Sequence, residues 1–236
     1  MVLERNQDSS FPRVYDTWET ADTKWVIQDL PPEDDENLIE LLAEHLCSDE
    51  VLCSASGLSN NPKSVKGICD FWRESIAKRT SLACYKETGG TRSLVGANVC
   101  LIAKRDDYYD SSKLEGEEWV NVYNGLEFLK TKCDPFKYLN VDVLLIGMGL
   151  VVKRECRGDK LGSRILNARE PLCKHLGIAA TSTVFTGVGS QISAARCGFI
   201  SIGEATLGEM AEAGLNYPKN DQRVVKLMVK QFKNIQ

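Results

Sequence analysis

The sequence predicts a mixed α/β fold, with one central sheet and helices on both of its faces. Three observations support this fold class. Segments with strand and helix periodicity alternate along the 236 residues, and two apolar segments flank the turn signal Gly89-Gly90 as in a hairpin. The almost continuously apolar run at 141–152 is typical of a strand that is buried on both faces.

The first half of the chain opens with residues 1–23, which we predict to be a polar tail. An acidic segment that starts at Pro32 precedes leucines at helical spacing, which predicts a helix. Apolar residues three and four positions apart predict a second helix further on. The elements predicted for this half are strand 25–29, a helix from residue 32, helix 65–79, and hairpin strands 81–85 and 94–102.

The second half begins with a charged, loop-like segment at 104–118, followed by a helix through Trp119 and Leu129. Another helix follows Gly162, and Pro171 is expected to bend or end it because proline cannot donate to the Asn167 carbonyl. The remaining predicted elements are strands 141–152, 179–185, 199–203 and 224–232, and a short helix at 190–196.

Composition excludes several classes of function. A net charge of -4 without a basic stripe argues against a nucleic-acid partner, and no apolar run is long enough to span a membrane. The nine cysteines form no C-x-x-C pair and only two histidines accompany them, so we expect no metal site. An odd cysteine count without an N-terminal apolar signal region favours the cytoplasm. Since no linker or repeat divides the chain, residues 24–236 are predicted to form one domain.

The most informative segment is 149–166, in which an apolar strand passes through a basic, glycine-containing turn into an amphipathic helix. Backbone N–H groups at a helix start lack intrahelical partners and lie at the positive end of the helix dipole. This arrangement suits a phosphate group, with Arg157, Gly158 and Gly162 as the turn residues of interest.

The turn Arg157-Gly-Asp-Lys160-Leu-Gly162 resembles the pyrophosphate loop Gln/Arg-x-x-Gly-x-Gly/Ala of the GNAT superfamily of N-acetyltransferases. Lys160 replaces the middle glycine of that motif. It could strain the loop, or its ammonium could add a contact to phosphate. The resemblance implies a GNAT fold with a twisted, mostly antiparallel mixed sheet of about seven strands, and acetyl-CoA as co-substrate.

Two further segments are similar to those of insect arylalkylamine N-acetyltransferases. These are the acidic pair of segments 32–36 and 48–52, and the serine-led segment 190–199, which ends in Gly-Phe. Val51 stands where that family has proline, and Thr186 stands where a serine is expected. The resemblance implies acetyl transfer to a small primary amine by direct attack in a ternary complex.

The resemblance also implies roles for individual residues. Glu36 would be the base that deprotonates the amine, Ser190 would lie near the leaving thiolate, and N–H groups of the strand end would bind the thioester carbonyl. The implied coenzyme-binding residues are Leu150, Val151, Val152, Arg157, Gly158, Asp159, Lys160, Leu161, Gly162, Ser163 and Thr186.

Simpler interpretations stay open at this stage. Glu36 lies in the first turn of a helix, where the dipole alone favours carboxylates, and Ser190 is also a candidate N-cap. The alternatives for the whole chain are a longer acyl donor, a different amine or an amino-acid acceptor, or a coenzyme-binding module with little turnover. The sequence does not determine which amine is used or the oligomeric state.

Overall fold

The computed structural model describes residues 5, 8–107 and 109–233, and it confirms the predicted α/β class. The strands are β1 (Val14–Thr20), β2 (Thr23–Asp29), β3 (Leu82–Thr88), β4 (Thr91–Lys104), β5 (Val143–Val152), β6 (Ala180–Phe185), β7 (Ile200–Thr206) and β8 (Val224–Gln231). The helices are α1 (Asp35–His45), α2 (Val51–Ser56), α3 (Pro62–Ile76), α4 (Glu117–Lys132), α5 (Pro135–Leu139), α6 (Leu161–Leu176), α7 (Val188–Arg196) and α8 (Leu207–Glu212). No helix in these described ranges is long and apolar enough to cross a membrane.

All eight strands form one mixed sheet, in the order β1-β2-β3-β4-β5-β6-β8-β7. Its neighbouring strands are antiparallel except for β5 and β6, which run parallel. A parallel pair needs a crossover connection, and α6 supplies it. The pyrophosphate-like turn therefore lies at the carboxyl end of β5, at the only parallel step among the described strands.

Helices cover both faces of the sheet, as predicted. Side chains of β2 show how the strand period distributes them: Val26 packs into the core beneath α1, α3 and α4, whereas Trp25 and Ile27 pack into the core beneath α6. Successive residues of a strand point to opposite faces, so one strand supplies both cores. The sheet is thus a rigid layer on which α1 and α6 present side chains to β5 from opposite sides.

The sheet has eight strands rather than about seven, because part of the predicted tail forms β1. This strand pairs antiparallel with β2 along the sheet edge, and all seven of its residues are partly or fully exposed. Trp18 stacks on Trp25 at 5.8 Å, and the Arg164 guanidinium lies 3.9 Å from the Trp18 ring centre. The polar composition of β1 led to its assignment to the tail. Its aromatic side chains nevertheless pack it against β2 and α6.

Several helices differ from the prediction. The short helices α2, α5 and α8 were not predicted, and α7 begins two residues earlier than expected, at Val188. Pro171 lies inside α6 without ending it. Buried residues both before and after the proline, including Leu166 and Leu172, hold the helix against the sheet, and this packing offsets the missing hydrogen bond.

Candidate active site

A bulge in β5 marks the centre of the site. Asn98 of β4 pairs with Leu150 and Cys100 with Gly147, so two β5 residues oppose one β4 residue. Gly149, in the bulge, has a φ of 141°, which favours glycine. Side chains bind the bulge carbonyls: the Asn98 amide donates to Gly149 O at 2.7 Å, and the Trp72 indole donates to Met148 O at 2.9 Å.

On its other side, β5 separates from β6. The two strands pair at Leu145–Thr181 and Ile146–Ser182 and then diverge toward their carboxyl ends. A cavity of about 720 Å³ fills the gap, lined by 147–152 of β5 and 183–186 of β6 and its following loop. Unpaired strand edges of this kind accept an extended ligand as an additional strand. The predicted residues Leu150, Val151 and Val152 all line it.

The basic turn closes one end of the cavity at the start of α6. Gly158 has a φ of 96°, and Lys160 is the N-cap residue with a φ of 59°. Lysine therefore adopts the left-handed conformation that the motif glycine would adopt, at a cost of about 1–2 kcal/mol. No side chain caps α6, which leaves its first N–H groups available to an anion.

Asp49, between α1 and α2, holds both arginines of this turn. Its carboxylate lies 2.9 Å from Arg154 Nη2 and 2.8 Å from Arg157 Nη1. Arg157 Nε also donates to the Val152 carbonyl. Hydrogen bonding from Arg154 and then Arg157 lowers the pKa of Asp49 well below its usual range. Arg157 is therefore paired with a protein carboxylate, and a phosphate group would have to compete with Asp49 for the guanidinium.

The other predicted coenzyme residues mostly lie together. Gly158, Lys160, Leu161, Gly162, Ser163 and Thr186 line the cavity, whereas Asp159 is exposed outside it. Ser190 also lines the cavity. It is the third residue of α7, whose N-cap is Gly187, and its hydroxyl donates to the Gly187 carbonyl at 2.8 Å. The simpler interpretation of Ser190 as the N-cap is therefore wrong.

Glu36 is the predicted base, and it does not line the cavity. Its carboxylate forms two 2.9 Å hydrogen bonds with Arg73 of α3, and its side chain is 65% exposed. Hydrogen bonding from Arg73 lowers the pKa of Glu36, which stabilises the carboxylate and weakens it as a proton acceptor. The structure thus separates Glu36 from the β5 bulge, the basic turn and Ser190.

Arg169 is a site residue that the sequence analysis missed. It is fully buried under the point where β5 and β6 separate, and it donates to Asn98 Oδ1 at 2.7 Å and Thr183 Oγ1 at 2.8 Å. Its Nη2 has no hydrogen-bond partner, and the ion pairs of the described residues include none for Arg169. Burial lowers its pKa. An arginine on the apolar stripe of a predicted helix was the available signal.

Three other cavity residues were also missed: His45 at the end of α1, and two tryptophans. Trp72 Nε1 donates to the Met148 carbonyl in the bulge, whereas Trp119 Nε1 is buried and has no hydrogen-bond partner. His45 Nδ1 is likewise buried and without a partner. Because aromatic and histidine residues on a helix are more often core residues, their spacing alone gave no functional signal.

Among the described residues, no cluster of three or more histidine, cysteine or acidic side chains could hold a metal ion.

Comparison with known proteins gives matches in solved structures alone. No family model matches the chain, and no curated protein matches it. A protein of the yellow fever mosquito Aedes aegypti, proposed to be arylalkylamine N-acetyltransferase 7, is 29% identical, with a TM-score of 0.90 over 97% of this chain and 99% of that one.

Two more distant structures share the fold. Arylalkylamine N-acetyltransferase 2 from Aedes aegypti is 17% identical, with a TM-score of 0.75 over 89% of this chain and 99% of that one. The Drosophila melanogaster polyamine N-acetyltransferase, which catalyses the formation of N-acetylagmatine, is 20% identical, with a TM-score of 0.72 over 88% of this chain and 100% of that one.

Proposed function

Taking the chain as an acyltransferase with the GNAT fold, similar to insect arylalkylamine N-acetyltransferases, we propose that it moves the acetyl group of acetyl-CoA to a small primary amine. The transfer is direct, within a ternary complex. The observation that carries this proposal is the continuous cavity from the uncapped start of α6, along the free edge of β5, to the bulge at Gly149.

Several groups along the cavity support binding of the coenzyme. Its mouth offers N–H groups of 161–163 and the Arg157 guanidinium for a pyrophosphate. The diverging strands offer a backbone edge for the pantetheine amides, and the N–H groups near Leu150 are suited to bind the thioester carbonyl. Acetyl-CoA would supply the activated acyl group, and this chain's residues would hold and orient it.

The chemistry requires a neutral amine at the bulge. Its nitrogen attacks the thioester carbon, the C–N bond forms, and the C–S bond breaks. The thiolate takes up the proton that the nitrogen loses on becoming an amide, and Ser190 is suitably placed in the cavity to relay it. The first proton, lost when the ammonium becomes an amine, must leave through a base.

Aromatic and aliphatic walls favour an arylalkylamine as the acceptor. Trp119 Nε1 is a buried donor without a partner among the described residues, so a hydroxyl on the aromatic ring of the substrate would satisfy it. Other apolar side chains that line the cavity on this side are Ile68, Val122 and Leu126. A second candidate is a cationic alkylamine, favoured by Glu50, a carboxylate at the same cavity that has no ion-pair partner among the described residues.

Thermal shift and thiol release test these assignments in sequence. We expect acetyl-CoA to raise the melting temperature, and we expect tyramine to release free thiol faster than agmatine does. Faster turnover of agmatine would select the cationic class. If the melting temperature does not change, the coenzyme assignment fails; binding without thiol release from any amine would favour a binding module.

Asp49→Asn should strengthen coenzyme binding, because it frees Arg157 from a competing carboxylate and removes a negative charge beside the phosphates. Exposed ion pairs contribute about 0.2–1 kcal/mol, so the expected gain in acetyl-CoA affinity is about two- to fivefold. Isothermal titration calorimetry measures it, with Glu44→Gln as a control that removes a carboxylate near Arg154 and leaves the pair between Asp49 and Arg157 intact. Equal or weaker binding by Asp49→Asn would contradict the competition.

A further inference from the structure

We infer that His45 is the base that accepts the ammonium proton of the acceptor amine. This inference rests on the proposed function and assigns a catalytic residue to it. His45 lines the cavity, its side chain is 9% exposed, and its Nδ1 has no hydrogen-bond partner among the described residues. A buried ring nitrogen without a partner is costly unless a ligand or water pairs with it.

The helix face that carries His45 is turned toward the β5 bulge. Leu42 and Leu46 lie three residues before it and one after it, and each places its Cδ2 3.5 Å from where a Cβ of Gly149 would be. Residues three or four apart share a helix face, so His45 belongs to the same surface. The imidazole therefore approaches the cavity beside the bulge where the thioester carbonyl would bind.

The neighbouring Glu44 carboxylate lies on the Nε2 side of the His45 ring and leaves Nδ1 free to accept a proton. Glu44 Oε1 lies 3.7 Å from His45 Nε2, which favours the tautomer with its proton on Nε2. Nδ1 then carries the lone pair. It accepts one proton from the ammonium, and the resulting imidazolium returns that proton to solvent after the amide has formed. One proton is thus released in each turnover, as the balanced reaction of an ammonium with a thioester requires.

The acidic residues that line the cavity already form ion pairs or hydrogen bonds within the protein. Asp49 is held by the two arginines of the basic turn, and the two carboxylate oxygens of Glu50 accept N–H groups of α2 at 3.1 Å and 2.7 Å. Glu127 pairs with Lys130 at 2.6 Å. Among the described acidic and histidine residues that line the cavity, His45 is the one with an unpartnered acceptor.

The first test compares His45→Gln with His175→Gln. His175 is a matched control because it lies on α6 outside the cavity, 3.9 Å from Asp8. General base catalysis contributes about 10²–10⁴-fold, so kcat/KM for 2-phenylethylamine should fall at least about 100-fold in His45→Gln alone. The thermal shift with acetyl-CoA should be retained. Turnover of His45→Gln within about threefold of wild type would overturn the inference.

A matched substrate separates a base from a structural residue. Fluorines make the ammonium of 2,2-difluoro-2-phenylethylamine more acidic than that of 2-phenylethylamine, with nearly the same shape. The loss of kcat/KM in His45→Gln should be about tenfold smaller with the fluorinated amine, because a larger fraction of that amine is already neutral when it binds. An equal defect with both amines would mean that His45 shapes the pocket instead.

Chemical modification covers the case in which His45→Gln does not fold. The chain has two histidines, so His175→Gln leaves His45 as the single histidine that diethyl pyrocarbonate can modify. We expect one histidine to react, activity to be lost in parallel, acetyl-CoA with amine to protect, and hydroxylamine to restore activity. Reaction without inactivation, or no reaction, would overturn the inference. A wild-type chain without turnover of any amine would instead refute the proposed function.

Discussion

Gly162→Glu is expected to abolish acetyl-CoA binding. Gly162 is the second residue of α6, and its side-chain position faces the cavity at the uncapped helix start. A carboxylate there would occupy the N–H groups proposed for pyrophosphate and repel it. Each charge-assisted hydrogen bond that is lost costs about 1.5–3 kcal/mol, so the dissociation constant should rise at least about 100-fold.

Gly162→Ala provides the matched control. A Cβ at this position would meet Leu150 Cδ2 at 3.6 Å, an ordinary contact, so alanine should fold and bind within about tenfold of wild type. Calorimetry with both variants separates the added charge from the added volume. Unchanged binding by Gly162→Glu would show that the phosphates do not lie at this helix start.

Gly147→Ala is expected to cause a large loss of stability. A Cβ on Gly147 would lie 2.1 Å from Arg169 Nη2 and 2.6 Å from Thr183 Oγ1. The guanidinium is fully buried and hydrogen-bonded, so it cannot move aside without losing those bonds. Overpacking of this kind costs about 1–3 kcal/mol, and broken buried hydrogen bonds add to it.

Gly189→Ala is a suitable comparison for that stability measurement. Gly189 lies in α7 and no atom outside its own helix is within 4 Å of an added Cβ. Gly189 is the second residue of α7 and its φ is not positive, so alanine should stabilise by about 0.4–1 kcal/mol, chiefly by reducing the entropy of the unfolded chain. Urea unfolding should therefore give changes of opposite sign at the two glycines. A neutral effect of Gly147→Ala would mean that the contact between Arg169 and β5 is loose.

The sequence was sufficient to predict seven of the eight strands, the helix after Gly162 and the turn from Arg157 to Gly162, because these depend on local periodicity and glycine positions. The short helices were harder to predict. Thr206 and Glu209 form a capping box at α8, a signal that was visible but lay outside the predicted helices. By contrast, β1 is held by the contact between Trp18 and Trp25, which depends on pairing that a single segment does not reveal.

The candidate site was predictable only in part, for a similar reason. The turn and the β5 strand end are contiguous in sequence, and they line the cavity together. Glu36 and His45 lie on one helix, and their spacing does not show that Arg73 holds Glu36 at the surface while His45 lines the cavity. Arg169, Asn98 and Gly147 meet only when three elements assemble, so no local pattern could identify them.

The proposed acetyl transfer is tested most directly by quantifying both products in one reaction. Purified chain, acetyl-CoA and each amine of a panel that includes tyramine, 2-phenylethylamine, agmatine and spermidine would be incubated together, with mass spectrometry of the amine and a thiol assay of the coenzyme. We expect an N-acetylated amine and free coenzyme thiol in equal amounts, both lost in Gly162→Glu. Tight acetyl-CoA binding without an acetylated product from any amine would contradict the proposed enzyme and leave a coenzyme-binding module.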